Sequence, residues 1–169
     1  DAAGGEAVPA WAQREDLGKG DGKDVITIGD SWMAGALNVG GIQGALDSAG
    51  TRYRHYAVTA TQLANGQIPS QYTRAKRANP KITTVIMTGG GNDVLLGGNS
   101  CATASACQNT GAKIVAALDK LWTEMANDGV KDVVYIQYSN SAGSTPVENR
   151  GVGNAAVPIC STGKIICHS

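Results

Sequence analysis

The 169 residues predict a parallel α/β domain, with helices on both faces of the sheet. Two observations carry this. Short runs rich in Val, Ile and Thr alternate with segments of helical spacing, the pattern of strands joined by helical crossovers. Three polar punctuation points, Gly29-Asp30-Ser31, Thr59-Ala60-Thr61 and Gly90-Gly91-Asn92-Asp93, follow three of those runs. In open parallel sheets ligands bind outside the carboxyl ends of the strands, where these three points would converge.

Taken in order, an apolar strand over 24–29 stops at Gly-Asp-Ser and runs into small, helix-compatible residues over 33–49, ended by Gly50. "RYRHYAV" reads as a short strand over 52–58, and 67–79 as a helix stopped before Pro80. "KITTVIMTGGG" gives a strongly β-branched strand over 81–88, followed by a glycine- and serine-rich loop holding two cysteines. "GAKIVAALDKLWTEMANDGV" is a helix, since Ile114, Ala117, Leu118, Leu121, Trp122 and Met125 recur at three- and four-residue spacing. "KDVVYIQYS" is a buried strand over 131–138. The tail after Gly143 reads mostly as loop, with "KIICHS" as a last short strand.

The length suits one domain over 1–169 and is too short for two. Apolar residues make up 42% and charged ones 17%, a globular balance, and with no phenylalanine the core must rest on Val, Ile, Leu and Ala. Lys plus Arg equals Asp plus Glu at 14 each, which leaves no electrostatic footprint for nucleic acid or an anionic membrane. The basic cluster Arg74, Lys76 and Arg77 reads as a solvated helix face. No apolar stretch approaches the roughly 20 residues of a membrane span. Residues 1–20, beginning "DAAGGEAVPAW", read as a flexible lead-in of a processed, exported chain.

Four cysteines fall into two close pairs without C-x-x-C spacing, and the two histidines are too few to complete a zinc site. Cys101–Cys107 and Cys160–Cys167 bridges are expected, although four cysteines allow three pairings. The alternative is four buried thiols in a reducing compartment. Bridges imply a secreted or periplasmic location.

Ser31 lies at a strand-to-helix turn, where either it or Asp30 would cap the helix, or its hydroxyl would attack a carbonyl carbon. An ester attacked there develops an oxyanion that needs preorganised donors. Candidates are the Ser31 N–H, a backbone N–H at the end of the second strand, and the Asn92 carboxamide. Asn92 donates without adding charge, or else is a turn residue in left-handed geometry after the glycines. Trp32 either walls an acyl or sugar site or packs inward.

"GDSW" after one strand and "GGGND" after another, with "YAVTATQL" between, resemble the blocks of the GDSL/SGNH hydrolase family over residues 24 to about 138. The resemblance implies a flavodoxin-like three-layer α/β/α sandwich around a central parallel sheet, and ester hydrolysis through an acyl-serine. It implies Ser31 as nucleophile and Ser31 N–H, Ala60 N–H and Asn92 as the oxyanion hole. Where the family has glycine in its second block, this chain has Ala60. The family's Asp-x-x-His block, which supplies the general base, is absent from the sequence.

Of the two histidines, His55 lies near the middle of a strand and His168 is penultimate beside Cys167. The expectation is therefore that the catalytic block belongs to a further C-terminal segment. The leading reading is a secreted hydrolase of acyl or acetyl esters on lipid, carbohydrate or small alcohols, with no metal or other cofactor. Beside it stand a non-catalytic binding module of the same fold and a flavodoxin-like nucleotide binder. The last is disfavoured because neither G-x-x-x-x-G-K-[ST] nor a helix-opening G-x-G-x-x-G occurs.

Overall fold

The computed structural model describes residues 16–17, 24–35, 40–51, 53–98, 101–137 and 157–168. Their strands are β1 Asp16–Leu17, β2 Val25–Ile28, β3 Arg54–His55, β4 Thr84–Met87, β5 Asp132–Tyr135 and β6 Ile166–His168. They form one sheet in the order β1-β3-β2-β4-β5-β6. β3, β2, β4, β5 and β6 run parallel, and β1 adds to the β3 edge antiparallel. The helices are α1 Ser31–Ala34, α2 Ile42–Ser48, α3 Gln67–Ala78, α4 Gly91–Leu95 and α5 Ala104–Asn127, with a 3-10 helix Pro158–Thr162 before β6. Numbered among themselves, the parallel strands follow the flavodoxin-like order 2-1-3-4-5, whose switch point lies between β2 and β4.

The two faces of the sheet are held by different physics. Ile26 and Ile28 of β2, Val85 and Met87 of β4, and Val133 and Tyr135 of β5 pack into one apolar cluster. α3 gives it Ile68, Tyr72 and Ala75. α5 gives it Ile114, Leu118, Leu121, Trp122 and Met125, the stripe its spacing predicts, with Ala117 at the margin. Each such side chain contributes on the order of 1.5–3 kcal/mol when fully buried. Trp122 donates to Met87 Sδ at 3.1 Å and meets Tyr135 edge-on. Tyr72 Oη and Lys76 Nζ both donate to Asp128, which locks α3 to the end of α5. The buried Arg54 guanidinium donates to the carbonyls of Ala75 and Asn79 at the C-terminal end of α3.

On the opposite face α2 has no buried residue, so apolar burial does not dock it. It is tied down by hydrogen bonds in which Gln43 Oε1 accepts from the Thr27 hydroxyl and Asp47 Oδ1 from His55 Nε2. Further along this face Ile86 and Val134 are only half-buried.

The expected sandwich is observed, with local corrections. The helix expected over 33–49 is broken: Gly35, at φ 85°, ends α1, and α2 begins only after Gly41. A Cβ at Gly41 would lie 2.6 Å from the Trp32 carbonyl and 2.7 Å from that of Met33, so this approach of α2 to α1 requires glycine. The strand expected over 52–58 pairs only at Arg54–His55, but Tyr56 and Val58 N–H continue bonding to β2 and Gly29. The second long helix starts at Ala104, capped by the Thr103 hydroxyl, so Cys107 lies in a helix and not in the loop expected there. The tail contributes a 3-10 helix as well as β6. Of the expected lead-in over 1–20, residues 1–15 and 18–20 lie outside the described residues, and Asp16–Leu17 form β1.

Both expected bridges, Cys101–Cys107 and Cys160–Cys167, are formed, and no described cysteine is free. No helix among the described residues is long and apolar enough to cross a membrane. Cys160–Cys167 ties the 3-10 helix to the edge strand β6. Replacing both cysteines by serine should cost about 2–3 kcal/mol of unfolding free energy in urea titration, the scale of closing a short loop in the unfolded chain.

Candidate active site

β2 ends at Gly29, whose φ of 142° disfavours a side chain and whose Cβ would collide with the Thr88 hydroxyl. Without a side chain, its backbone becomes the meeting point of three loops. The Gly29 carbonyl accepts from Val58 N–H at 3.0 Å, Thr61 Oγ1 at 3.1 Å and Gln71 Nε2 at 2.9 Å. The Gly29 N–H donates to Gln71 Oε1 at 2.7 Å. Gln71 Nε2 also reaches Thr61 Oγ1 at 3.2 Å. One buried amide therefore fixes the end of β2 against the loop that follows β3.

Asp30, fully buried, is the N-cap of α1. Its Oδ1 accepts from Trp32 N–H at 3.1 Å and from Thr88 Oγ1 at 3.0 Å, joining the ends of β2 and β4. Of the two capping candidates it is Asp30 that caps, which leaves the half-buried Ser31 free of that duty. Among the described residues the Ser31 hydroxyl has no protein hydrogen-bond partner, and neither Ser31 N–H nor Ala60 N–H donates to a protein acceptor.

Ala60 has φ 63°, the only described non-glycine residue with positive φ. That conformation costs an L-residue about 1–2 kcal/mol and persists because Val58 and Thr61, on either side, are pinned to Gly29. Beyond β4, Gly90 takes the left-handed geometry and Asn92 lies inside α4. The left-handed turn role considered for Asn92 thus belongs to Gly90. Asn92 Nδ2 donates to Thr61 O at 2.9 Å, and buried Asp93 accepts from Leu63 N–H at 2.8 Å and Ala64 N–H at 2.7 Å. Ser31, Ala60 and Asn92 are thereby linked through neighbouring residues around the β2–β4 switch point.

Tyr135 Oη donates to the Gly89 carbonyl at 2.7 Å and extends this frame to β5. Burial, followed by the carboxylates of Asp30 and Asp93, pushes its phenol above the usual range, so it remains a donor at neutral pH. Trp32 is half-exposed beside Ser31. Leu95 and Leu96, which follow Asn92, are exposed.

Neither histidine stands at Ser31. His55 is buried on the α2 face, its Nδ1 2.8 Å from Thr27 Oγ1 and its Nε2 3.0 Å from Asp47 Oδ1. His168 is exposed, with Nε2 3.4 Å from Asp132 Oδ1 at the amino end of β5, the end of the sheet away from Ser31. The described residues contain no cluster of His, Cys, Asp and Glu able to hold a metal ion.

Of the residues that hold the site together, Thr61 and Asp93 stand in the polar points the sequence marks, without an assigned role, and Gln71 and Thr88 are not among its candidates. Gln71 had a readable signal, a polar residue in the otherwise apolar stripe Ile68, Tyr72, Ala75. Asp93 adjoins the asparagine that attracted attention.

No protein-family model matches the chain, and no curated protein matches it. Solved structures do. The acetylxylan esterase Axe2 from Geobacillus stearothermophilus superposes with a TM-score of 0.54 at 16% identity, covering 90% of this chain and 77% of that one. A catalytic mutant of Axe2 gives 0.53 at 15% identity, with the same coverage. At this identity the likeness is one of fold, that of an α/β sandwich around a parallel sheet.

Gln71→Leu would preserve volume while removing three buried hydrogen bonds and stranding the Gly29 N–H. It should destabilise the fold by about 2–4 kcal/mol in urea unfolding. A loss below about 0.5 kcal/mol would show that the amide does not hold these loops together.

Proposed function

We propose that this chain carries the site of a serine hydrolase for carboxylic esters. Ser31 attacks the carbonyl carbon, while the Ser31 N–H, the Ala60 N–H and Asn92 Nδ2 receive the oxyanion. The observation that carries this reading is the Gly29 junction. It supports the reading because it ties the loop after β3 to the end of β2, where the Ser31 hydroxyl is spared from capping and where, among the described residues, the Ser31 and Ala60 N–H groups have no protein acceptor.

Attack forms the bond from Ser31 Oγ to the carbonyl carbon and moves an electron pair onto the carbonyl oxygen. Collapse expels the alcohol, which leaves with the serine proton carried by a general base. Water then attacks the acyl-serine, releases the acid and restores the hydroxyl. No metal or nucleotide enters these steps. The acetylxylan esterase activity of the fold neighbours favours acetyl or other short acyl groups, with a carbohydrate as the alcohol. Two disulfides favour work in an oxidising compartment, secreted or periplasmic.

His55 and His168 both bond elsewhere, so on this reading neither serves as the base. The same histidine positions favour a second reading, a binding module that keeps the pocket without the chemistry.

In short-chain ester assays residues 1–169 should turn over slowly, and added imidazole should accelerate them in proportion to its concentration. Ser31→Ala should abolish that acceleration with the fold intact. Asn92→Ala should lower it about 10²–10³-fold, the scale of one oxyanion donor. Equal rates for the parent and Ser31→Ala at every imidazole concentration would favour the binding module. Full activity without imidazole, lost in His168→Ala, would make His168 the base.

A further inference from the structure

Between α1, α2 and the end of β3 lies a cavity of about 340 Å³. Three polar side chains line it, Gln43, Asp47 and Thr59, together with His55 and several glycines. Two of the three are held rigidly from behind. Gln43 Oε1 accepts from Thr27 Oγ1 at 2.8 Å and from Ala57 N–H at 3.3 Å, which fixes the amide so that Nε2 is its remaining donor end. Asp47 Oδ1 is taken by His55 Nε2, whose ring is only 5% exposed and is itself held by Thr27. Among the described residues Gln43 Nε2, Asp47 Oδ2 and Thr59 Oγ1 have no protein hydrogen-bond partner. The cavity therefore offers a two-proton donor, a charged acceptor and a hydroxyl able to do either.

That set matches a neutral molecule with neighbouring hydroxyl groups, each of which both donates and accepts. A phosphate or a uronic acid would face the Asp47 carboxylate with no lysine or arginine among the described lining residues to offset it. A quaternary ammonium would find the carboxylate but no aromatic ring among the described lining residues. The volume is at the small end of ligand pockets, the scale of one sugar ring or a short polyol. Gly35, Gly40 and Gly44 present backbone to the cavity, against which a ring could lie.

The cavity also adjoins the proposed catalytic groups in the chain. Thr59 precedes Ala60, and Ala34 and Gly35 close the helix that Ser31 opens. We infer that this cavity binds a neutral polyhydroxylated alcohol, a sugar ring, as the leaving half of the ester. Its role as the leaving half rests on Ser31 being the nucleophile; binding of the sugar does not.

Gly44 provides the test. A Cβ there meets nothing within 4 Å, so Gly44→Leu fills cavity space while raising helix propensity in α2. Methyl β-xyloside, titrated into residues 1–169, should shift the His55 and Thr59 NMR signals saturably, and Gly44→Leu should weaken binding at least tenfold. Thr59→Val, which removes a hydroxyl without adding bulk, should weaken it severalfold and stands in should Gly44→Leu fail to fold. Choline and glucuronate should leave the signals unmoved. Unmoved signals with the xyloside, equal binding in the variants, or tighter binding of choline or glucuronate would overturn the inference.

With imidazole present, Gly44→Leu should lower kcat/KM for an acetylated xyloside at least tenfold more than for p-nitrophenyl acetate. An unchanged ratio would overturn the leaving-half role. Absence of all Ser31-dependent hydrolysis would instead remove the proposed function while the NMR result still decides whether the sugar binds.

Discussion

The carbonyl and N–H of Gly29 together make four hydrogen bonds, to Val58, Thr61 and both ends of the Gln71 amide, and the geometry around Ser31 depends on them. A strand that ends under a helix would ordinarily leave these backbone groups to water. Here burial forbids that, and an unpaired buried amide or carbonyl would cost about 1–3 kcal/mol. Gln71 answers the demand, since its carboxamide offers donor and acceptor at once. The positive φ of Ala60 follows from the same constraint, because the residues on either side of it are already pinned. Asp30 and Asp93 repeat the device, each accepting backbone N–H donors and crossing from one loop to the next.

Packing and direction divide the work between the faces of the sheet. The α3 and α5 face is dense and apolar, which gives stability without specifying any single angle. The α2 face is held by oriented hydrogen bonds, from Thr27 to Gln43 and from His55 to Asp47, on a helix with no buried residue. Oriented bonds are the weaker source of stability, but they leave defined polar groups facing a cavity. α2 is accordingly the part of the described structure whose loss should affect the apolar core least.

Much of the fold was legible because parallel strands and amphipathic helices write their periods into the chain. Val25–Ile28, Thr84–Met87 and the α5 stripe are of this kind. The break between α1 and α2 was not, because it turns on the close approach at Gly41, a fact of tertiary contact and not of spacing. Ser31 and Asn92 were visible as polar residues at strand ends. The residues that position them were not, because a buried glutamine and a buried aspartate look like surface residues until their partners are known. The histidines show the opposite limit: sequence cast doubt on each as the base, and only the partners Asp47 and Asp132 show what each does instead.

A half-buried serine hydroxyl at a switch point becomes a nucleophile only if the groups around it favour charge at the attacked carbon's oxygen. A fluorophosphonate reports this directly, since its phosphoryl oxygen sits where the oxyanion would and its adduct is stable to mass analysis. Intact-mass and peptide mapping after exposure to such a reagent in imidazole buffer should find a single adduct, on Ser31, formed much more slowly in Asn92→Ala. A protein that remains unlabelled, or is labelled at another serine with Ser31 unmodified, would contradict the assignment of Ser31 as the nucleophile.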